Sequence, residues 1–219
     1  MPQMFTLDGP RFGPAAGGPP RSLVVLLHGL GADGNDLISL APYWARLMPN
    51  TAFVAPHAPF PCDMAPYGRQ WFSLQDRTPA MMLAGIRAAA PILEGFIDDE
   101  LAKWKLSDDR LALVGFSQGT MMSLYVAPRR PRACAAVVGY SGALIGAESL
   151  SAETKSRPPV LLVHGDADPV VPFEAMKAAA AALANANIPV ETLARPGLPH
   201  SIDDEGLIRG GEFLAQRLR

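Results

Sequence analysis

The chain has 219 residues, 49% of them hydrophobic and 18% charged, and a net charge of −2. That is enough chain for one α/β domain with a sizeable core, and too apolar for disorder. The balanced charge, with no long Lys/Arg run, excludes a general attraction for nucleic acid or an anionic membrane.

The first residues, Met1-Pro2-Gln3-Met4-Phe5, lack a basic stretch followed by an apolar one, so no signal peptide is expected. The next fifteen are crowded with Pro and Gly and read as a loop after at most one short strand near Met4–Leu7. Regular alternation then begins. Strands are expected at Ser22–Leu27, Thr51–Ala55, Arg110–Val114, Cys134–Tyr140, Val160–Val163 and Pro189–Ala194. Most are short apolar runs without polar alternation, the pattern of strands covered on both faces. Helices are expected between and after them, at Asp36–Leu47, Pro79–Lys105, Gln118–Ala127, Phe173–Asn185 and Asp203–Leu218. Strand and helix taking turns predicts one α/β domain, a mostly parallel central sheet with helices on both faces and sites at the carboxyl ends of the strands. No apolar run reaches the roughly 18 residues of a membrane span. The longest irregular stretch, Pro56 to Arg77, carries Trp71-Phe72 and is expected to be functional or to cover something.

Gly115-Phe116-Ser117-Gln118-Gly119 matches the G-x-S-x-G nucleophile elbow. It stands between a strand-like run and a helix-compatible one that stops at Pro128. A serine hydroxyl needs a base in hydrogen-bond reach, a third group to orient that base, and donors for the oxyanion. The expected chain order is Ser, acid, His. Asp168 is the candidate acid, with Asp166 its competitor; Asp166 stands nearer the strand end, where it can serve the turn backbone. His200 is the candidate base, because it alone of the four histidines follows both serine and acid. His28 and His164 end apolar strands and are expected to satisfy local hydrogen bonds, while His57 precedes the serine. Asp203, Asp204 and Glu205 suit a helix N-terminus rather than catalysis.

The oxyanion hole needs two backbone N–H groups. Gln118 supplies one; the loop His28-Gly29-Leu30-Gly31-Ala32-Asp33-Gly34 offers the other, with Leu30 the expected donor. The same loop fits the dinucleotide fingerprint G-x-G-x-x-G, but the next strand ends without the acid that would hold a ribose. Leu30, Gly31, Trp71, Phe72 and Met122 are candidates for the substrate wall. Cys62 and Cys134 form no disulfide framework, which points to a reduced, cytoplasmic compartment. The scattered cysteines and histidines form no metal signature, and no cofactor is expected.

These segments together resemble the acyl-protein thioesterase and bacterial carboxylesterase/phospholipase family of α/β-hydrolases. The resemblance rests on His28 to Asp36, Pro56-His57-Ala58-Pro59, Trp71-Phe72, the elbow, Gly165 to Pro172 and Pro199-His200. It implies Ser117 as nucleophile, His200 as base, Asp168 as its partner, and Leu30 and Gln118 at the oxyanion hole. It also implies a small hydrolase without a large cap domain, acting on carboxylic esters or thioesters. A small-molecule ester or thioester is the expected partner, with no nucleic acid and no stable membrane insertion, and the protein is expected to be a monomer or homodimer. The family's Trp-Phe-Asp pattern reads Trp71-Phe72-Ser73 here. Two alternatives remain open: a dienelactone- or C–C-hydrolase-like enzyme, and a binding protein that keeps the fold without catalysis.

Overall fold

The structure, a computed structural model, describes residues 6–218. Its strands are β1 (Arg11–Phe12), β2 (Ser22–Leu27), β3 (Thr51–Val54), β4 (Phe60–Pro61), β5 (Arg69–Gln70), β6 (Leu111–Phe116), β7 (Ala136–Tyr140), β8 (Val160–Gly165) and β9 (Val190–Arg195). Its helices are α1 (Gly34–Leu37), α2 (Ala41–Ala45), α3 (Pro79–Trp104), α4 (Gln118–Val126), α5 (Ala147–Glu153), α6 (Glu174–Asn185) and α7 (Asp204–Arg217). Seven strands form one sheet in the order β1-β3-β2-β6-β7-β8-β9, parallel except for the edge strand β1. This is the α/β-hydrolase arrangement, with helices on both faces.

The alternation of side chains along each strand builds two apolar layers. Leu23, Val25 and Leu27 of β2 face the layer covered by α3, α4, α5 and α6, while Val24 and Leu26 face the layer of α1, α2 and α7. Both sets are apolar, so the strands show no polar alternation. The covering helices follow the complementary period: α6 buries Met176, Ala179 and Leu183, and α7 buries Gly206, Gly210, Phe213 and Leu214. Asp203 caps α7 by accepting from the Gly206 N–H at 2.9 Å.

Several expectations change. The helix expected over Asp36–Leu47 is broken into α1, a 3-10 turn at Ile38–Leu40, and α2. Pro42 explains the break, because it has no N–H to continue the ladder and so opens a new helix. The N-terminal segment is more than a loop. Arg11–Phe12 pairs antiparallel with β3, and the Arg11 guanidinium meets the buried Glu100 carboxylate of α3 at 2.7 Å. Of the strand expected near Met4–Leu7, Met4 and Phe5 lie outside the described residues, and Thr6 and Leu7 are not in a strand. The irregular stretch after β3 contains the small β4–β5 pair, and α5 had no distinct signal. Finally, α3 is 26 residues long with a mean hydropathy of 1.5 in its most apolar stretch, long and apolar enough to cross a membrane. Here its apolar residues Ile86, Ala89, Leu93, Phe96 and Ile97 are buried in the core.

Candidate active site

Ser117 sits between β6 and α4 with φ 53° and ψ −115°, a conformation that L side chains rarely adopt. Its two flanking glycines make the turn sterically possible. A Cβ on Gly119 would lie 1.8 Å from the Leu27 carbonyl oxygen, and one on Gly115 would lie 2.3 Å from the Gly119 backbone. The turn lifts Ser117 off the sheet edge into the wall of a cavity of about 360 Å³. His200 reaches the same cavity from the loop after β9. Its ring lies on Phe116, the residue before the serine, with centroids 4.8 Å apart.

Asp168 lies in the loop after β8 with its side chain wholly buried. One carboxylate oxygen accepts from His200 Nδ1 at 2.7 Å. The other accepts from the N–H groups of Val170 and Val171 at 2.8 and 2.9 Å. Burial pushes this carboxyl up, but the His200 imidazole and the Val171 and Val170 N–H groups outweigh it and hold Asp168 below the usual carboxylate value. Asp168 is therefore anionic at neutral pH. With Nδ1 committed to it, Nε2 is the uncommitted ring nitrogen, on a residue that shares the cavity wall with Ser117. Among the described residues Ser117 Oγ makes no hydrogen bond to that nitrogen; such bonds are often long without substrate and tighten when it binds. Asp166 turns the other way and accepts from the Gly197 N–H at 2.7 Å, tying the β8 loop to the β9 loop.

The remaining histidines do not line the cavity. His28 is fully buried; Nδ1 donates to the Gly29 carbonyl at 2.8 Å and Nε2 accepts from the Ala58 N–H at 3.0 Å. Burial lowers its pKa to about 4, so it is neutral. His57 Nδ1 accepts from Gly34 at 3.2 Å, and His164 Nε2 meets the Val171 carbonyl at 2.9 Å and lies 3.3 Å from the Asp168 carboxylate.

Leu30 and Gly29 line the cavity. Among the described residues the backbone N–H groups of Leu30 and Gln118 have no hydrogen-bond partner. The Gln118 N–H opens α4, where the helix N-terminus favours negative charge. The Gly31 N–H is taken by the Arg69 carbonyl at 2.9 Å, and Gly31 does not line the cavity.

Trp71, Phe72 and Met122 do not line it either. All three are buried in the core layer beneath. For Met122 the reason is helical phase: its neighbour Met121 is turned toward the cavity, and one residue's rotation carries Met122 into the core. The apolar wall comes instead from Leu74, Met82, Met121, Ala143, Val170 and Val171. Val170 and Val171 follow Asp168 with only Pro169 between, and that nearness was a usable signal; Met82, on α3, carried none. Helices contribute Met82 of α3, Met121 of α4 and Ala175 of α6; the rest of the lining comes from the elbow and from loops that follow strands. A larger cavity of about 610 Å³ opens between Arg21, Asn50 and Lys105, at the opposite ends of the strands, and is lined by neither Ser117 nor His200.

A serine and a histidine on an apolar cavity, a buried carboxylate that orients the histidine, and unpaired amides at Leu30 and at Gln118 beside the serine can together carry out acyl transfer. The model of a family described as phospholipase/carboxylesterase matches residues 14–218. Esterase PE8, a solved structure, is 42% identical and superposes with a TM-score of 0.92 over 97% of this chain and 99% of its own. Acyl-protein thioesterase 1 of Schizosaccharomyces pombe is 31% identical, covering 87% of this chain and 88% of its own length. Esterase YpfH of Escherichia coli is 28% identical, covering 92% and 83%.

Proposed function

The chain belongs to the phospholipase/carboxylesterase family of α/β-hydrolases, and we propose that its ester hydrolysis runs through Ser117, His200 and Asp168. The protein is a serine hydrolase of carboxylic esters. In the reading we favour, His200 Nε2 takes the Ser117 proton as the hydroxyl oxygen attacks the ester carbonyl. The tetrahedral oxyanion is held by the N–H groups of Leu30 and Gln118, at the N-terminus of α4. His200 then protonates the leaving oxygen or sulfur, leaving an acyl group on Ser117. Water, deprotonated by the same imidazole, releases the acid in a second step. Asp168 fixes the Nδ1–H tautomer and stabilises the imidazolium without taking its proton.

The observation that carries this reading is the 2.7 Å contact from His200 Nδ1 to the buried Asp168 carboxylate, with His200 and Ser117 on one cavity wall. The apolar lining and volume of about 360 Å³ support small to medium acyl chains as substrates, with esters of oxygen and of sulfur both within the chemistry. Two layers on one sheet support a single domain. Two free cysteines support a reducing, cytoplasmic setting, and the burial of the apolar face of α3 supports an enzyme, monomeric or homodimeric, that is not inserted in a membrane.

The test is Ser117→Ala. Hydrolysis of p-nitrophenyl acetate and butyrate is expected to fall to background while the protein stays folded by circular dichroism. Retained turnover would remove Ser117 from the mechanism.

A further inference from the structure

The two oxyanion donors stand on separate segments, one after β2 and one at the start of α4, yet both must meet a single oxygen. One buried chain of hydrogen bonds joins them. The Gln118 side chain, fully buried, accepts from the Trp71 N–H at 2.8 Å and donates to the Phe72 carbonyl at 2.8 Å. It therefore grips the Trp71-Phe72 backbone from both sides. The Trp71 indole N–H in turn donates to the His28 carbonyl at 3.0 Å, two residues before Leu30. On the far side of Leu30, the Gly31 N–H donates to Arg69 and the Arg69 N–H donates to Ala32, each at 2.9 Å. Leu30 is thus fixed at both ends to the segment 69–72, and the side chain of Gln118 holds that segment against the elbow.

We propose that Gln118 and Trp71 are positioning residues, whose side chains set the spacing between the Gln118 and Leu30 amides. This rests on Ser117 being the nucleophile and gives Gln118 two tasks: its backbone N–H donates to the oxyanion, and its carboxamide places the other donor. Such placement matters because donors act only where charge develops, and an error of about 1 Å can cost 10²-fold. The indole and carboxamide are buried and spent on backbone groups of His28, Trp71 and Phe72, so neither side chain is offered to substrate.

Trp71→Phe keeps a ring and removes the N–H; Gln118→Met keeps the side-chain length and removes both bonds. Leu93→Ala, in the core of α3, serves as the control for lost stability. Active sites are counted in each protein by titration with a fluorophosphonate. Per titrated site, kcat on p-nitrophenyl butyrate is expected to fall roughly 10- to 100-fold in both variants, with KM moving less than about threefold. Affinity for a trifluoromethyl ketone, which binds as a tetrahedral oxyanion, should fall by the same factor as kcat/KM. The double variant should lose about as much as the worse single one, because both cut one chain. Leu93→Ala should lower the melting temperature and leave kcat per site intact. The proposal is overturned if kcat per site holds in both variants, or if Leu93→Ala lowers it equally for the same loss in melting temperature. If Gln118→Met does not fold, Trp71→Phe decides alone. A wild-type protein that the fluorophosphonate does not label overturns the nucleophile reading itself, a different result from labelled protein with unchanged kcat in the variants.

Discussion

Asp168 has no solvent to share its charge with, so its protein partners decide its state. Two backbone N–H groups hold one oxygen, and His200 holds the other, with His164 Nε2 3.3 Å from it. Asp168→Asn can keep the backbone bonds through its amide oxygen, but its NH₂ would face His200 Nδ1 and favour the wrong tautomer. Turnover is expected to fall by about 10⁴ with little change in fold, measured as kcat beside a circular dichroism spectrum. His28 shows a different electrostatic cost. Burial lowers its pKa to about 4, below the ordinary histidine value of about 6.5, so the unfolded chain binds more protons between those values. Its contribution to stability is complete above about pH 6.5 and is lost as the pH falls toward 4, by roughly 3 kcal/mol in total. An NMR titration of the ring should find it neutral down to about pH 4, with the urea midpoint sliding over the same window; a ring that titrates near 6.5 contradicts the account. At this scale the sequence singled out His200 as the only histidine after both Ser117 and Asp168, and the structure sets it against the Asp168 carboxylate and on the cavity of Ser117. It was a poor guide to Trp71 and Phe72. Their apolar character fits a substrate wall and a core equally, and their hydrogen bonds to Gln118 and His28 cross more than 40 residues of chain.

The elbow is where an element's geometry leaves least freedom. A Cβ at Gly119 meets the Leu27 carbonyl oxygen, which is backbone and cannot step aside. Gly119→Ala should therefore separate β2 from α4 and cost more than about 2 kcal/mol, lowering the melting temperature and the soluble yield. Gly95, inside α3, has nothing within 4 Å of its would-be Cβ. Gly95→Ala should stabilise by roughly 0.5–1 kcal/mol, read as a higher urea midpoint, because the helix gains a better former. The contrast between the two glycines follows from packing, not from residue type. Elements with a strong period, such as α6 and α7, were legible because the periodicity and the capping of α7 by Asp203 agree. The short strand β1 was not, since two residues carry no period and its partner β3 lies about forty residues away. The split of α1 from α2 was encoded locally by Pro42, within a run whose other residues favour one helix.

Across the whole molecule, the sheet order brings the loops after β2, β6, β8 and β9 to one edge, so that distant segments supply the serine, the acid, the base and the second amide. Strand and helix taking turns implies a parallel sheet with sites at the carboxyl ends of its strands, which is why the end of the sheet that carries the cavity could be read early, though the strand order could not. The shape of the cavity could not, because it depends on how the loops and the start of α3 meet. Ala143 stands on that wall. Ala143→Phe should shorten the acyl preference, lowering kcat/KM for p-nitrophenyl octanoate by about tenfold or more while acetate is nearly unaffected. The central claim is that acyl groups pass through Ser117. Rapid-quench mass spectrometry during turnover of p-nitrophenyl butyrate tests it most directly. The account predicts a butyryl adduct on the peptide carrying Ser117, formed in a burst and absent in Ser117→Ala. Turnover with no adduct, or an adduct on another residue, would contradict it.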